Sequence, residues 1–125
     1  MRLLLDTNIV IRLGREKQLD EKTRRNIRSA SAVYVSAASI WEIAIKKSAR
    51  KLDLDIERLE DRLLETGAEP LPITWTHALR AYDIAAFHPD PFDRLLLAQA
   101  VCEPLHLLTS DRGLAQYAEG LVIEV

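Results

Sequence analysis

The order of apolar and amphipathic segments predicts an α/β domain built on a mostly parallel sheet of about four to five short strands. Short apolar runs alternate with longer amphipathic runs along the chain. Strand patterns that alternate with helical ones imply βαβ crossovers, and those make parallel strands. The chain has 125 residues and is 48% hydrophobic but only 6% aromatic, so we read residues 1–125 as one domain with a core of Leu, Ile, Val and Ala.

Each element has its own signal. Leu3-Leu4-Leu5 reads as a buried strand ended by Asp6, and Ile9 to Leu13 as a short helix closed by Gly14. Asp20 to Ser29 is a charged helix, and Val33-Tyr34-Val35 is a second strand. Ala37 to Arg50 is a strong helix with Ser36 as N-cap. Ile56, Leu59, Leu63 and Leu64 have helical spacing within Asp55 to Thr66, and Gly67 is the stop. Ala68 to Ile73 is extended, with Pro70 and Pro72 confining it to a sheet edge. Thr74 caps a helix to about Phe87, followed by the break His88-Pro89-Asp90-Pro91. Phe92 to Cys102 is an apolar helix, Leu105 to Leu108 a strand, Arg112 to Tyr117 a short helix and Leu121 to Ile123 a last strand.

Composition excludes several classes. With 4 Gly and 5 Pro, collagen-like and linker readings fail. The single cysteine, Cys102, excludes a disulfide framework and a multi-cysteine zinc site, and fits a reducing compartment. The balance of 17 basic and 19 acidic residues gives a net charge of −2, so any nucleic-acid site must come from charge distribution rather than from the sum. Asp6 interrupts what a signal peptide would continue, and no apolar stretch approaches the ~20 residues of a membrane span. The expectation is a soluble, cytoplasmic protein.

In parallel sheets, ligands bind beyond the carboxyl ends of the strands. Asp6 ends the first strand, and Asp111 follows the Leu105 to Leu108 strand after Thr109 and Ser110, so the two acids share one sheet edge. At about 100° per residue, Ser39, Glu42, Lys46 and Arg50 share a helix sector, while Ile40, Trp41, Ala44 and Ile45 point elsewhere. Asp93 heads an apolar stripe of Leu96, Leu97 and Ala100, which sends its carboxylate inward. Burying an unpaired carboxylate costs several kcal/mol. Each acid also has an ordinary structural explanation. Asp6 and Asp111 suit helix N-caps, Asp93 suits a first-turn acid behind Asp90 and Pro91, and Glu42 suits an i+4 pair with Lys46. Taken together, four carboxylates on one edge would repel one another, and a hard divalent cation such as Mg²⁺ or Mn²⁺ would relieve them. Such a cluster suits phosphodiester hydrolysis.

The residues Asp6-Thr7-Asn8 after an apolar strand, Ser39-Ile40-Trp41-Glu42, His88-Pro89-Asp90-Pro91-Phe92-Asp93-Arg94 and Thr109-Ser110-Asp111 resemble a PIN domain in order and spacing. More narrowly, the chain resembles the VapC-type toxin ribonucleases of bacterial toxin–antitoxin pairs, over essentially its whole length. The resemblance implies a three-layer fold of sheet and flanking helices, and a Mg²⁺- or Mn²⁺-dependent endoribonuclease. It makes Asp6 and Asp93 the principal metal ligands, with Glu42 and Asp111 completing the site partly through water. Thr7, Asn8 and Ser110 would orient the carboxylates. It also implies a homodimer and a small VapB-like antitoxin.

Further residues carry paired readings. Arg94 and Arg112 each follow a proposed ligand, and would either contact RNA phosphates or pair with a neighbouring acid. Arg24, Arg25 and Arg28, with Arg15 and Lys17 upstream, form either an RNA-guiding flank or a solvated face. His77, His88 and His106 are too dispersed for a triad or a zinc site, and His88 would stabilise its turn. Cys102 reads as inert core. Trp41, Trp75 and Phe92 would stack on bases or pack in the core or an interface. Ile9, Leu13, Ile45 and the helix Asp55 to Thr66 are candidates for the wall of an antitoxin groove. Rival readings are a haloacid-dehalogenase-like phosphatase, a phospho-receiver and a catalytically silent PIN module. Asn8 stands where the phosphatase needs its second acid, and the receiver's paired acids and lysine are missing.

Overall fold

The computed structural model describes residues 1–15, 19–84, 89–117 and 120–125. The elements are β1 (Arg2–Leu5), α1 (Thr7–Gly14), α2 (Glu21–Ser29), β2 (Ala32–Ser36) and α3 (Ala37–Ser48). A 3₁₀ turn, Ile56–Arg58, runs into α4 (Leu59–Glu65), followed by β3 (Glu69–Leu71) and α5 (Trp75–Ile84). The chain continues as α6 (Pro91–Cys102), β4 (His106–Thr109), α7 (Arg112–Tyr117) and β5 (Val122–Glu124). The expected continuation of α5 to about Phe87, the His88 turn and Lys17 lie outside the described residues.

The five strands form one sheet in the order β3-β2-β1-β4-β5, and every pairing is parallel. The all-leucine run explains why β1 is central, because a strand covered on both faces needs apolar residues at every position. Leu3 and Leu5 face one core with Ile9, Ile43, Leu59 and Leu63. Leu4 faces the other with Leu96, Leu97, Leu107 and Leu114. The two cores sandwich the sheet between helical layers, which is the three-layer α/β arrangement. Helix α3 serves both, with Ile43 in the first core and Ala38 in the second. Pro70 sits in β3 at the sheet edge, where a missing N–H is tolerated. Strand order reverses between β1 and β4, so the carboxyl ends of these two strands flank the crevice where such sheets bind ligands.

Several boundaries differ from the sequence expectation, each for a local reason. Helix α1 starts at Thr7 rather than Ile9, because the Asp6 carboxylate accepts from the Thr7 N–H and caps it. Gly14 does not close that helix in a left-handed turn. It is the last helical residue, and Arg15 ends the helix with right-handed backbone. The glycine is there for packing, since a Cβ at this position would stand 2.7 Å from Leu59 Cδ1 and 3.1 Å from Leu54 Cδ1. Helix α3 ends at Ser48 rather than Arg50. Arg50 takes φ 58°, and the N–H groups of Arg50 and Lys51 donate back to the carbonyls of Lys47 and Lys46. That is a Schellman cap with arginine where glycine is usual. Gly67, with φ 84°, stops α4 as expected.

His77 has a structural task. Its backbone N–H donates to Thr74 Oγ1, its Nδ1 accepts from the Thr74 N–H, and its buried Nε2 meets Glu103 at the far end of α6. The ring thus completes a reciprocal helix cap and ties α5 to α6.

The packing at Gly14 generates a test. Gly14→Val forces branched carbon into the buried ends of Leu54 and Leu59, and overpacking of that kind costs about 1–3 kcal/mol. Chemical denaturation should show the loss, and an unchanged midpoint would contradict the packing assignment.

Candidate active site

Asp6 emerges at the carboxyl end of β1 and is 3% exposed. Its backbone N–H continues the ladder to the Leu108 carbonyl of β4. One carboxylate oxygen, Oδ1, accepts from the Thr7 N–H at 2.8 Å, and the other, Oδ2, accepts from Thr109 Oγ1 at 2.7 Å. The Thr109 hydroxyl in turn accepts from the Asp111 N–H at 3.0 Å. One threonine therefore links two of the expected acids. Burial pushes the Asp6 carboxyl above its ordinary range, and the charges of Glu42 and Asp111 add to that. The Thr109 and Thr7 donors oppose it by stabilising the anion.

Glu42 lies two turns into α3 on the inward sector with Ser39, and both are buried. Ile40, Trp41 and Ile45 are exposed, as the helical phase requires. Lys46 Nζ holds Glu42 Oε2 at 3.1 Å, so the expected i+4 pair exists. The other oxygen, Oε1, is buried without a hydrogen-bond partner among the described residues. Ser39 Oγ accepts from the Thr7 hydroxyl at 3.0 Å, tying the start of α3 to α1.

Asp93 stands in the first turn of α6, where Asp90 is the N-cap and Pro91 opens the helix. Burial is the main cause that pushes its carboxyl up to about 7. The charges of Asp90, Asp6, Glu42 and Asp111 push in the same direction. Asp111 caps α7 by accepting from the Gly113 N–H at 2.8 Å. The ordinary cap readings of Asp6 and Asp111 therefore hold, and they coexist with electrostatic convergence of Asp6, Glu42, Asp93 and Asp111.

Trp41 and Phe92 fasten this arrangement. Their rings meet edge to face, 5.5 Å between centroids and 66° between planes. Each immediately precedes an acid, Glu42 or Asp93, so the contact clamps α3 to α6 at the cluster. Trp41 is 61% and Trp75 90% exposed, which removes both from the core. Ile9 is fully buried and so cannot line a groove, whereas Ile45 and Leu64 remain exposed. Cys102 is half-buried at the end of α6.

Asn8 is exposed and Ser110 half-buried. The contacts to Asp6 come instead from Thr7 and Thr109, and the sequence reading had not assigned Thr109 a part. Its signal was position alone, as the last residue of a strand beside β1. Arg94 is half-buried. Arg112 is 87% exposed along its side chain and lies 3.9 Å from Glu124 rather than on Asp111.

The donor set is all carboxylate oxygen, which suits a hard cation, and Glu42 Oε1 is buried with a lone pair to spare while Oε2 pairs with Lys46. The cluster is nevertheless open. Among the described residues no three Asp, Glu, His or Cys side chains close to metal-ligand spacing. Asp6 and Glu42 are buried, Asp93 is half-buried and Asp111 is exposed, so the four acids run from the sheet edge out to the surface.

The raised carboxyl has a consequence for stability. Its folded pKa of about 7 exceeds the unfolded value near 3.9, so its contribution is full below about pH 4 and is lost as pH rises through 7. In chelator, the Tm of the wild type should fall relative to Asp93→Asn between pH 5 and 8, by about 3 °C or more. Parallel pH profiles for the two proteins would contradict this.

The PIN domain family model matches residues 3–120. Among curated proteins no sequence is significantly similar. Among solved structures, FitAcB from Neisseria gonorrhoeae is similar with a TM-score of 0.71 at 25% identity, covering 98% of this chain and 96% of that one. DNA-bound VapBC from Salmonella typhimurium has a TM-score of 0.70 at 18% identity, covering 99% and 98%. A toxin–antitoxin complex from Klebsiella pneumoniae has a TM-score of 0.67 at 19% identity, covering 98% and 99%. With the family match spanning nearly its whole length and the parallel sheet that bears it, this chain belongs to the PIN domain family.

Proposed function

We propose that this chain is a Mg²⁺- or Mn²⁺-dependent endoribonuclease that acts as the toxin of a toxin–antitoxin pair. The observation that carries the reading is the buried Asp6 at the sheet's point of strand reversal, with the charges of Glu42, Asp93 and Asp111 directed onto one crevice. Those four acids would hold the ion. When bound, it would neutralise charge on the scissile phosphate and acidify the attacking water.

The protein's own groups do the positioning. Thr109 and Thr7 hold the two oxygens of Asp6 in a fixed plane. Lys46 tethers one oxygen of Glu42 and leaves the other buried without a hydrogen-bond partner among the described residues. Asp111 is aligned through the same Thr109 hydroxyl. Asn8 and Ser110 remain candidates for orienting groups around the substrate. Arg112, exposed beside Asp111, would meet a phosphate oxygen, and Arg94 would act next to Asp93.

The partner reading draws on the relatives. The similar solved structures include a toxin–antitoxin complex and a DNA-bound VapBC, which supports a VapB-like antitoxin for this chain. A homodimer is supported by the exposed apolar stripe Trp75, Leu79 and Tyr82 on α5, because water-facing aromatic stripes are favoured by partners that cover them. No helix among the described residues is long and apolar enough to cross a membrane, and a cytoplasmic location would suit an RNA substrate. The open spacing of the acids favours one other reading, a PIN module that binds RNA without cutting it.

Incubation with single-stranded RNA separates these readings. Cleavage should occur with Mg²⁺ or Mn²⁺ and stop in chelator. Asp6→Asn should lose at least about 100-fold in rate while its circular dichroism stays that of the wild type. Wild-type rates from Asp6→Asn would refute the proposed role of the cluster.

A further inference from the structure

We infer that a basic cleft between α1 and the end of α3 holds the phosphate backbone of RNA as it leaves the acid cluster. The inference rests on RNA being the substrate proposed above and assigns the path the strand takes. The cleft measures about 360 Å³ and is lined by Arg12 and Arg15 from α1, Lys46 from α3, Lys51 just beyond it, and Asn8. No carboxylate stands among its described lining residues.

Two of the lining residues adjoin acids of the site. Asn8 at one end is two residues from Asp6, and Lys46 bonds Glu42 directly. Helix α1 leaves the sheet edge at Asp6 and rises ~1.5 Å per residue, so Arg15 lies ~13 Å further along. Cations are thus set out along a line that starts at the site. Two local features hold them there. The left-handed turn at Arg50 folds the chain back so that the Lys51 N–H reaches the Lys46 carbonyl at 2.9 Å. Arg15 Nε donates to the neutral Asp53 carbonyl at 2.9 Å, which fixes the guanidinium without neutralising it. The arginines of α2 differ. Arg24 and Arg28 share the single carboxylate of Glu21 at the surface and do not line this cleft.

A phosphate chain fits this layout better than an acidic protein segment. Cations in the cleft would attract either one, but a strand that continues to Asp6 must bring a group that a carboxylate-bound cation would also attract, and the scissile phosphate is such a group. A phosphate backbone carries one charge per nucleotide on either side of the scissile position, so it continues past the acids as a row of charges that a row of cations can meet, whereas an isolated acidic side chain has no such continuation.

The test measures binding of a short, labelled single-stranded oligoribonucleotide in chelator by fluorescence anisotropy, across a range of salt. Arg12→Ala/Lys51→Ala should bind about tenfold more weakly at low salt. Its log-affinity against log-salt slope should be shallower by about 1.4, at about 0.7 per phosphate contact on a single strand. Arg24→Ala/Arg28→Ala should match the wild type in both. Wild-type affinity and slope in the cleft variant would overturn the inference, as would equal losses in the two variants. Loss of binding to a polyglutamate peptide with RNA binding retained would assign the cleft to an acidic protein partner and overturn it as well. Cleavage of the same RNA with Mn²⁺, run in parallel on the wild type, reports separately on the ribonuclease reading.

Discussion

Burial of carboxylates at the carboxyl edge of a parallel sheet, with their mutual repulsion added to it, is the constraint on which the site depends. Asp6 is buried where β1 meets β4, and burial alone would drive its carboxyl toward the neutral form. The Thr109 hydroxyl and the Thr7 N–H counter that by donating to its two oxygens. Hydrogen bonds to a charged group are worth about 1.5–3 kcal/mol each, and here they offset part of the burial cost while the carboxyl still sits above its ordinary range. The Trp41–Phe92 contact prevents relief by separation, because it holds α3 and α6 together one residue away from Glu42 and Asp93. Asp93 is half-buried, and burial first, then the charges of Asp90, Asp6, Glu42 and Asp111, pushes its carboxyl up to about 7.

Much of this was legible in the sequence, for physical reasons that can be named. The leucine run reads as a buried strand, and the alternation of strand and helix patterns reads as a parallel sheet, in which the structure puts β1 at the centre. From there the rule that ligands sit beyond strand ends put Asp6 and Asp111 on one edge. The 3.6-residue period put Glu42 with Ser39 and apart from Trp41. What escaped reading depends on contacts between distant segments. The Thr109 hydroxyl reaches Asp6 across 103 residues, and only the register Leu5 to Leu108 brings the two side by side. Gly14 carries a stop signal in isolation, yet it is kept small by Leu54 and Leu59, which arrive forty residues later. Arg50 ends α3 in a conformation that residue statistics assign to glycine. Ile9 is a candidate groove residue by sequence, but in the structure it packs in the core with Leu3, Leu5 and Ile43.

Charge showed the same gap between chain order and space. The net charge of −2 hides any basic surface, and the densest run of arginines along the chain lies on α2. That run partly cancels itself against Glu21. The cations that end up together, Arg12, Arg15, Lys46 and Lys51, come from two helices more than thirty residues apart. Acid cluster and basic cleft share α1 and α3, the helices that follow the adjacent strands β1 and β2, so the proposed chemistry and the proposed strand path derive from one piece of topology.

Calorimetric titration with Mn²⁺ at pH 6.5, repeated in buffers of different ionisation enthalpy, measures the protons displaced as the ion binds. A carboxyl with a pKa of about 7 is mostly protonated there and must lose its proton to become a ligand. The proposed site therefore releases more than half a proton per Mn²⁺ bound, and Asp93→Asn abolishes that release. Absence of Mn²⁺ binding, or binding with the same proton count in wild type and Asp93→Asn, would contradict a repulsive carboxylate cluster relieved by a cation.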